Sequence, residues 1–210
     1  MRQIGFITTI FLTVLTLSTL HGGTVLFDSF TGSGTYVGGR GVCEPASGCG
    51  GYQAVAVSFQ PSVTDKLQSL ELALAGGGVD GHITIDLAND SSGSPGSTFL
   101  ESFSYDVTSI TPTLVTFTSI LQPLLSSGTT YWVEIFPTQS TTGIGWEFDN
   151  TNSSGPDIMS AMGGAWTVQA QLFTPSLEVT GVPEPSSFLF AACGFLALIL
   201  MPRLRNACQR

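Results

Sequence analysis

The chain predicts an all-β fold, an antiparallel β-sandwich of the jelly-roll kind, between an N-terminal signal peptide and a C-terminal transmembrane helix. Three observations predict it. Apolar residues recur with period two in short runs across the middle of the chain. Each run is bounded by Gly, Pro, Asn or Ser clusters, and no useful 3.6-residue pattern competes with it. Both ends are apolar, and each is flanked by arginine on its outer side.

Met1-Arg2-Gln3 forms a short basic region, and Ile4 to Leu20 follows without a charge. His21-Gly22-Gly23 then supplies the small residues that signal peptidase requires, so residues 1–22 read as a signal peptide cut near Gly22 or Gly23. The alternative is an uncleaved N-terminal membrane helix. Both place Arg2 in the cytoplasm.

The body, residues 24–182, is the size of one domain with its own core. Val55, Val57 and Phe59 alternate with Ala54, Ala56 and Ser58. Leu70, Leu72 and Leu74 alternate with Ser69, Glu71 and Ala73. Ile83, Ile85 and Leu87 alternate with Thr84 and Asp86. Val115/Phe117, Tyr131/Val133/Ile135, Ile144/Trp146/Phe148 and Trp166/Val168/Ala170 continue the pattern. Turn clusters such as Gly76-Gly77-Gly78 and 89–96 separate them, and eight to ten strands are expected.

The body carries fourteen acidic residues against Arg40 and Lys66, a formal charge of −12. That field disfavours phosphate-rich partners, and no nucleic acid binding is expected. Solubility in an exported protein accounts for the acidity; cation bridging to an acidic polysaccharide is the sharper alternative. Cys43 and Cys49 flank a short Pro- and Gly-containing loop and form a candidate disulfide in an oxidising compartment. Closing so small a loop stabilises by roughly 2 kcal/mol in the chain-entropy picture. Cys193 lies in the apolar segment and Cys208 in the tail.

The C-terminal segment, 182–210, opens on Val182-Pro183-Glu184-Pro185. The two prolines fix φ and remove two donors, holding the tripeptide extended. Residues 186–201 carry no charge, and as a helix they would span roughly 24 Å of a ~30 Å hydrocarbon core. Arg203 can snorkel, which makes a thin or tilted span feasible. Arg203, Arg205 and Arg210 orient this end to the cytoplasm, so both ends leave 24–182 outside the membrane.

This order resembles the PEP-CTERM proteins of Gram-negative bacteria, with Pro183, Glu184 and Pro185 as the sorting motif and Arg203 and Arg205 as the basic residues behind the helix. The resemblance implies recognition by an exosortase after signal peptidase action, transient anchoring in the inner membrane, delivery to the cell envelope or outer surface, and association with exopolysaccharide. The basic cluster is sparser than the family's, being interrupted by Leu204. The body is similar to choice-of-anchor domains of type R, in its opening Thr24-Val25-Leu26-Phe27-Asp28-Ser29-Phe30, in the run 87–102, and in Ser127-Gly128-Thr129-Thr130-Tyr131-Trp132-Val133. That likeness implies the fold and no agreed activity.

Catalytic constellations are weak in this sequence. His82 is the only histidine of the body, and no Gly-x-Ser-x-Gly accompanies it. The glycine runs at 38–41 and 76–78 lack the lysine and strand-to-helix context of phosphate loops. Glu134 and Glu147 are a candidate carboxylate pair for a polysaccharide hydrolase or lyase if their strands are neighbours. Trp132 and Glu134, on the face opposite Val133, form a candidate exposed sugar platform, weighed against plain packing. The loops 86–90 and 149–152 carry oxygen ligands without a calcium motif, and no metal or cofactor is expected. The leading expectation is a non-enzymatic envelope or matrix protein. A carbohydrate-binding module is the alternative.

Overall fold

The computed structural model describes residues 23–30, 35–47, 51–77, 81–149, 158–161, 166–168 and 175–182. Val25–Val182 forms one compact unit. The signal peptide, Pro183-Glu184-Pro185, the apolar segment 186–201, Arg203, Arg205 and Cys49 lie outside the described residues. Among the described residues no helix is long and apolar enough to cross a membrane.

The described body is all-β, and its strands pair antiparallel in two sheets. In chain order they are β1 (Thr24–Asp28), β2 (Tyr36–Cys43), β3 (Ala54–Phe59), β4 (Asp65–Gly76), β5 (Gly81–Asp90), β6 (Pro95–Val107) and β7 (Thr113–Thr118). β8 (Leu124–Leu125), β9 (Tyr131–Pro137), β10 (Gly143–Asp149), β11 (Ile158–Ala161), β12 (Trp166–Val168) and β13 (Leu177–Gly181) follow. One sheet runs β12-β11-β3-β9-β5-β6, and the other β1-β13-β4-β10-β2, with β7 and β8 also on β4. β4 organises the second sheet because it is long. β13 pairs with Leu67–Leu72 and β10 with Leu74–Gly76, while β7 pairs with Ser69–Leu74 and β8 with Asp65–Lys66.

The inward faces of the two sheets share one core, the signature of a sandwich-like packing. Leu70, Leu72, Leu74 and Trp146 come from one sheet, and Val57, Ile83, Ile85 and Val133 from the other, all at most 1% exposed. The alternation read from the sequence selects these residues correctly, because successive strand side chains point to opposite faces. Trp146 satisfies its indole by donating Nε1–H to the Ser176 carbonyl at 3.0 Å.

Three expectations need correction. The outward face of the six-stranded sheet is covered over β3 and β9, so Ala54, Ala56, Trp132 and Glu134 are buried along with their inward neighbours. The stretch 86–90, expected as a loop of oxygen ligands, is the second half of β5, hydrogen-bonded on both sides to β6 and β9. Part of the turn expected at 89–96 is strand as well, since β6 begins at Pro95. Cys43 is disulfide-bonded, and its backbone bridges to Gln53.

Candidate functional site

The outward face of the six-stranded sheet carries the most unusual chemistry of the described residues. Val133 and Ile135 point into the core, so Trp132, Glu134 and Phe136 of β9 point away from it. Register then sets the neighbours. Glu134 lies between Ala56 of β3 and Asp86 of β5, and Asp86 lies between Glu134 and Ser102 of β6. Directly opposed residues hold their Cβ atoms about 4.5–5.5 Å apart, so two carboxylates meet across one strand interval.

Both are withdrawn from water: Glu134 is 2% exposed and Asp86 6%. Glu134 Oε1 and Asp86 Oδ1 are buried without a hydrogen-bond partner. A buried charge without compensation is expensive, and the protein answers by holding a proton. Burial first, and the neighbouring Asp86 charge second, push the Glu134 carboxyl up to about 8. Burial also raises Asp86, opposed by a hydrogen bond with Ser102. Tyr52 joins the group from the segment before β3: burial raises its phenol, and the charges of Glu44 and Glu134 add to that. Near neutral pH the pair therefore retains a proton on Glu134 beside Asp86. It can store or exchange a proton. At 2% exposure, Glu134 offers no open cleft for a pyranose ring.

Trp132 is buried at 1% exposure, which decides for packing over the candidate exposed platform. The reason is local. Ala56 and Ala88 cluster with the indole, small enough to leave it room on the sheet, and Trp166 packs against the cluster. Its Nε1–H donates to Asp90 Oδ1 at 2.8 Å, and the other Asp90 oxygen accepts from the Gly93 amide at 3.1 Å. Asp90 thus ties the β5–β6 turn to the face of β9.

Glu134 and Glu147 do not meet. Glu134 is on β9 of the six-stranded sheet and Glu147 on β10 of the other, each facing away from the shared core. Both sheets separate them, which removes the candidate hydrolase pair. Glu147 instead borders a groove of about 630 Å³ on the outer face of its own sheet, with Tyr36, Ser47 and Ile110 along its walls. Glycine makes room for the carboxylate: a Cβ on Gly145 would stand 2.5 Å from Glu147 Oε1, and one on Gly39 3.0 Å. Burial raises the Glu147 carboxyl above the usual range.

His82 contacts Asp106 across the β5–β6 ladder, with no nucleophile opposite it in register. Among the described residues no three His, Cys, Asp or Glu side chains converge as metal ligands. Sequence reasoning had Asp86 on the outward face of a strand but could not pair it with Glu134. It missed Glu101 altogether. This residue of β6 is 5% exposed and accepts from Ser119 Oγ at 2.5 Å, from the Ile120 amide at 2.6 Å and from the Leu121 amide at 3.1 Å.

No protein-family model matches the chain, and no curated protein is similar to it.

Proposed function

We propose that this chain is an exported, non-enzymatic component of the cell envelope or extracellular matrix of a Gram-negative bacterium. In this reading signal peptidase removes residues 1–22, and an exosortase recognises Pro183-Glu184-Pro185 with Arg203 and Arg205 behind the apolar segment. The body, a jelly-roll-like sandwich, works alongside exopolysaccharide. One observation carries the reading: the fold closes where the sorting motif begins. Val182 donates its amide to the Lys66 carbonyl at 2.9 Å, and the next residue, Pro183, has no N–H to extend the ladder. The folded unit therefore ends at the residue before the motif. Replacing Pro183, Glu184 and Pro185 by alanine in an exosortase-bearing host is expected to change mature mass and fractionation. Unaltered mass and fractionation reject the sorting role.

Carbohydrate binding is the second reading, and the groove beside Glu147 favours it. A concave surface with an aromatic wall at Tyr36 and a carboxylate at its edge suits hydroxyl-rich chains. A glycan array compares the unsubstituted protein with Tyr36→Ala and Glu147→Gln. Selective binding lost in both variants supports this reading, and no binding by the unsubstituted protein rejects it.

A further inference from the structure

Nine large hydrophobic side chains are exposed among the described residues, and five of them, Val25, Val63, Ile120, Leu121 and Leu124, gather at one end of the body. Register defines that end. Lys66 of β4 lies opposite Leu124 of β8, and the Leu67 amide donates to the Pro123 carbonyl at 2.9 Å. The Ser62 amide donates to the Leu26 carbonyl at 2.8 Å, which brings β1 to the same place. Val182, bonded to Lys66, is the point where the chain leaves the fold. The exposed apolar side chains therefore surround the exit.

Two of them stand on a built projection. Ile120 is 88% exposed and Leu121 68%, yet both backbone amides are held by the buried Glu101 carboxylate. Ser119 Oγ, itself bonded to Glu101, accepts the Gln122 amide at 2.9 Å, and Gln122 takes a left-handed φ of 48° to complete the turn. A buried carboxylate with three donors fixes a turn whose side chains face water.

The same end is poor in charge. Residues 24–26, 61–67, 119–128 and 180–182 include Asp65 and Lys66 as their only charged side chains, in a body with fourteen acidic residues. Asp90, at this end of the other sheet, is engaged by Trp132 and Gly93. Exposed apolar side chains gathered where charge is sparse mark an interaction face.

The length of chain that follows decides the occupant. Three residues separate Val182 from Ser186, where the uncharged run begins, so the four Cα steps between them span at most ~14 Å. The far end of β4, at Gly76, lies roughly 36 Å along the strand from Asp65. A membrane holding the run 186–201 would meet the exit end first.

We propose that this end is a lipid-facing surface, with Ile120, Leu121 and Leu124 seated in the interfacial layer of the membrane that anchors the chain and Lys66 at its phosphates. The inference rests on the anchored state of the proposed function. Because the body is strongly acidic, the surface suits a zwitterionic membrane over an anionic one.

The test uses the full chain reconstituted in phosphatidylcholine vesicles, some with acyl chains brominated near the headgroup. Leu121→Trp and Ile110→Trp are compared with the unsubstituted chain, whose own tryptophans give the baseline; Ile110 is a 72% exposed residue beyond the opposite end of β4. Brominated lipid is expected to remove most of the emission added at 121 and little of that added at 110. Vesicle-bound chain with equal, weak quenching at both positions overturns the lipid-facing surface and leaves anchoring intact. Chain that fails to sediment with vesicles overturns anchoring and this inference together.

Discussion

Glu134 and Asp86 oppose each other directly across β9 and β5, and each keeps one buried oxygen without a hydrogen-bond partner. Two like charges so placed repel and lack solvation, so the folded protein prefers the protonated form. This preference makes stability depend on pH.

The sign follows from the raised Glu134 pKa, 4.5 in the free side chain and about 8 in the fold. The native state binds the proton more tightly, so its contribution is fully present below pH 4.5 and is lost as pH rises through 8. The effect is on the order of a few kcal/mol. Urea midpoints should fall between pH 5 and 8.5 in the unsubstituted protein and stay flatter in Glu134→Gln. Parallel pH curves would exclude Glu134 as the titrating group.

Asp86→Asn removes the second cause of that shift and leaves the first. The Glu134 carboxyl should titrate lower than about 8 but above 4.5, because its burial persists. Carbon-13 chemical shifts of the Glu134 carboxyl against pH measure this directly. A titration identical to that of the unsubstituted protein would show that Asp86 exerts no charge effect.

Trp132 separates packing from hydrogen bonding. Trp132→Ala should cost about 3 kcal/mol through the emptied space over Ala56 and Ala88. Trp132→Phe keeps much of the ring area but loses the bond to Asp90, for about 1.5 kcal/mol. Chemical denaturation of both variants gives the comparison, and a cost below about 1 kcal/mol for Ala contradicts the burial.

Glu101→Ala removes the acceptor of three hydrogen bonds to Ser119, Ile120 and Leu121 and should destabilise by about 2 kcal/mol. Amide hydrogen exchange at 120 and 121 should accelerate while the core strands stay protected. Unchanged exchange there would mean that the turn holds without the carboxylate.

Gly39 and Gly145 both flank Glu147, yet alanine should affect them differently. A Cβ at Gly39 stands 2.6 Å from the Trp146 carbonyl oxygen, which belongs to the backbone and yields little. At Gly145 the obstacle within 3 Å is the Glu147 carboxylate end, which can swing away. Gly39→Ala should cost about 2 kcal/mol and Gly145→Ala less than about 1, and adding Glu147→Ala should relieve only the second. Thermal unfolding of the four variants tests this, and equal relief at both positions would contradict the geometry.

Much of the fold was legible from alternation. The pattern at 55–59, 70–74, 83–87 and 131–135 named the strands and their inward residues because side-chain direction in a strand is a local property. β2 escaped notice because Gly38, Gly39 and Gly41 leave little to alternate. β6 escaped because Ser102, Ser104 and Asp106 face water while Phe103 and Tyr105 are only partly covered on this edge strand.

The candidate site was legible only in halves. Period-two spacing put Asp86 and Glu134 on outward faces, and it offered Glu147 as an equally good companion for Glu134. Pairing β9 with β5 and placing β10 in the other sheet decided between them. Likewise the sequence marked Trp132 as outward-facing, while the tertiary structure buried it over two alanines. The physical reason is the same in each case. Alternation is set by each residue's own backbone, whereas register, and whatever covers an outward face, come from strands far apart in the chain.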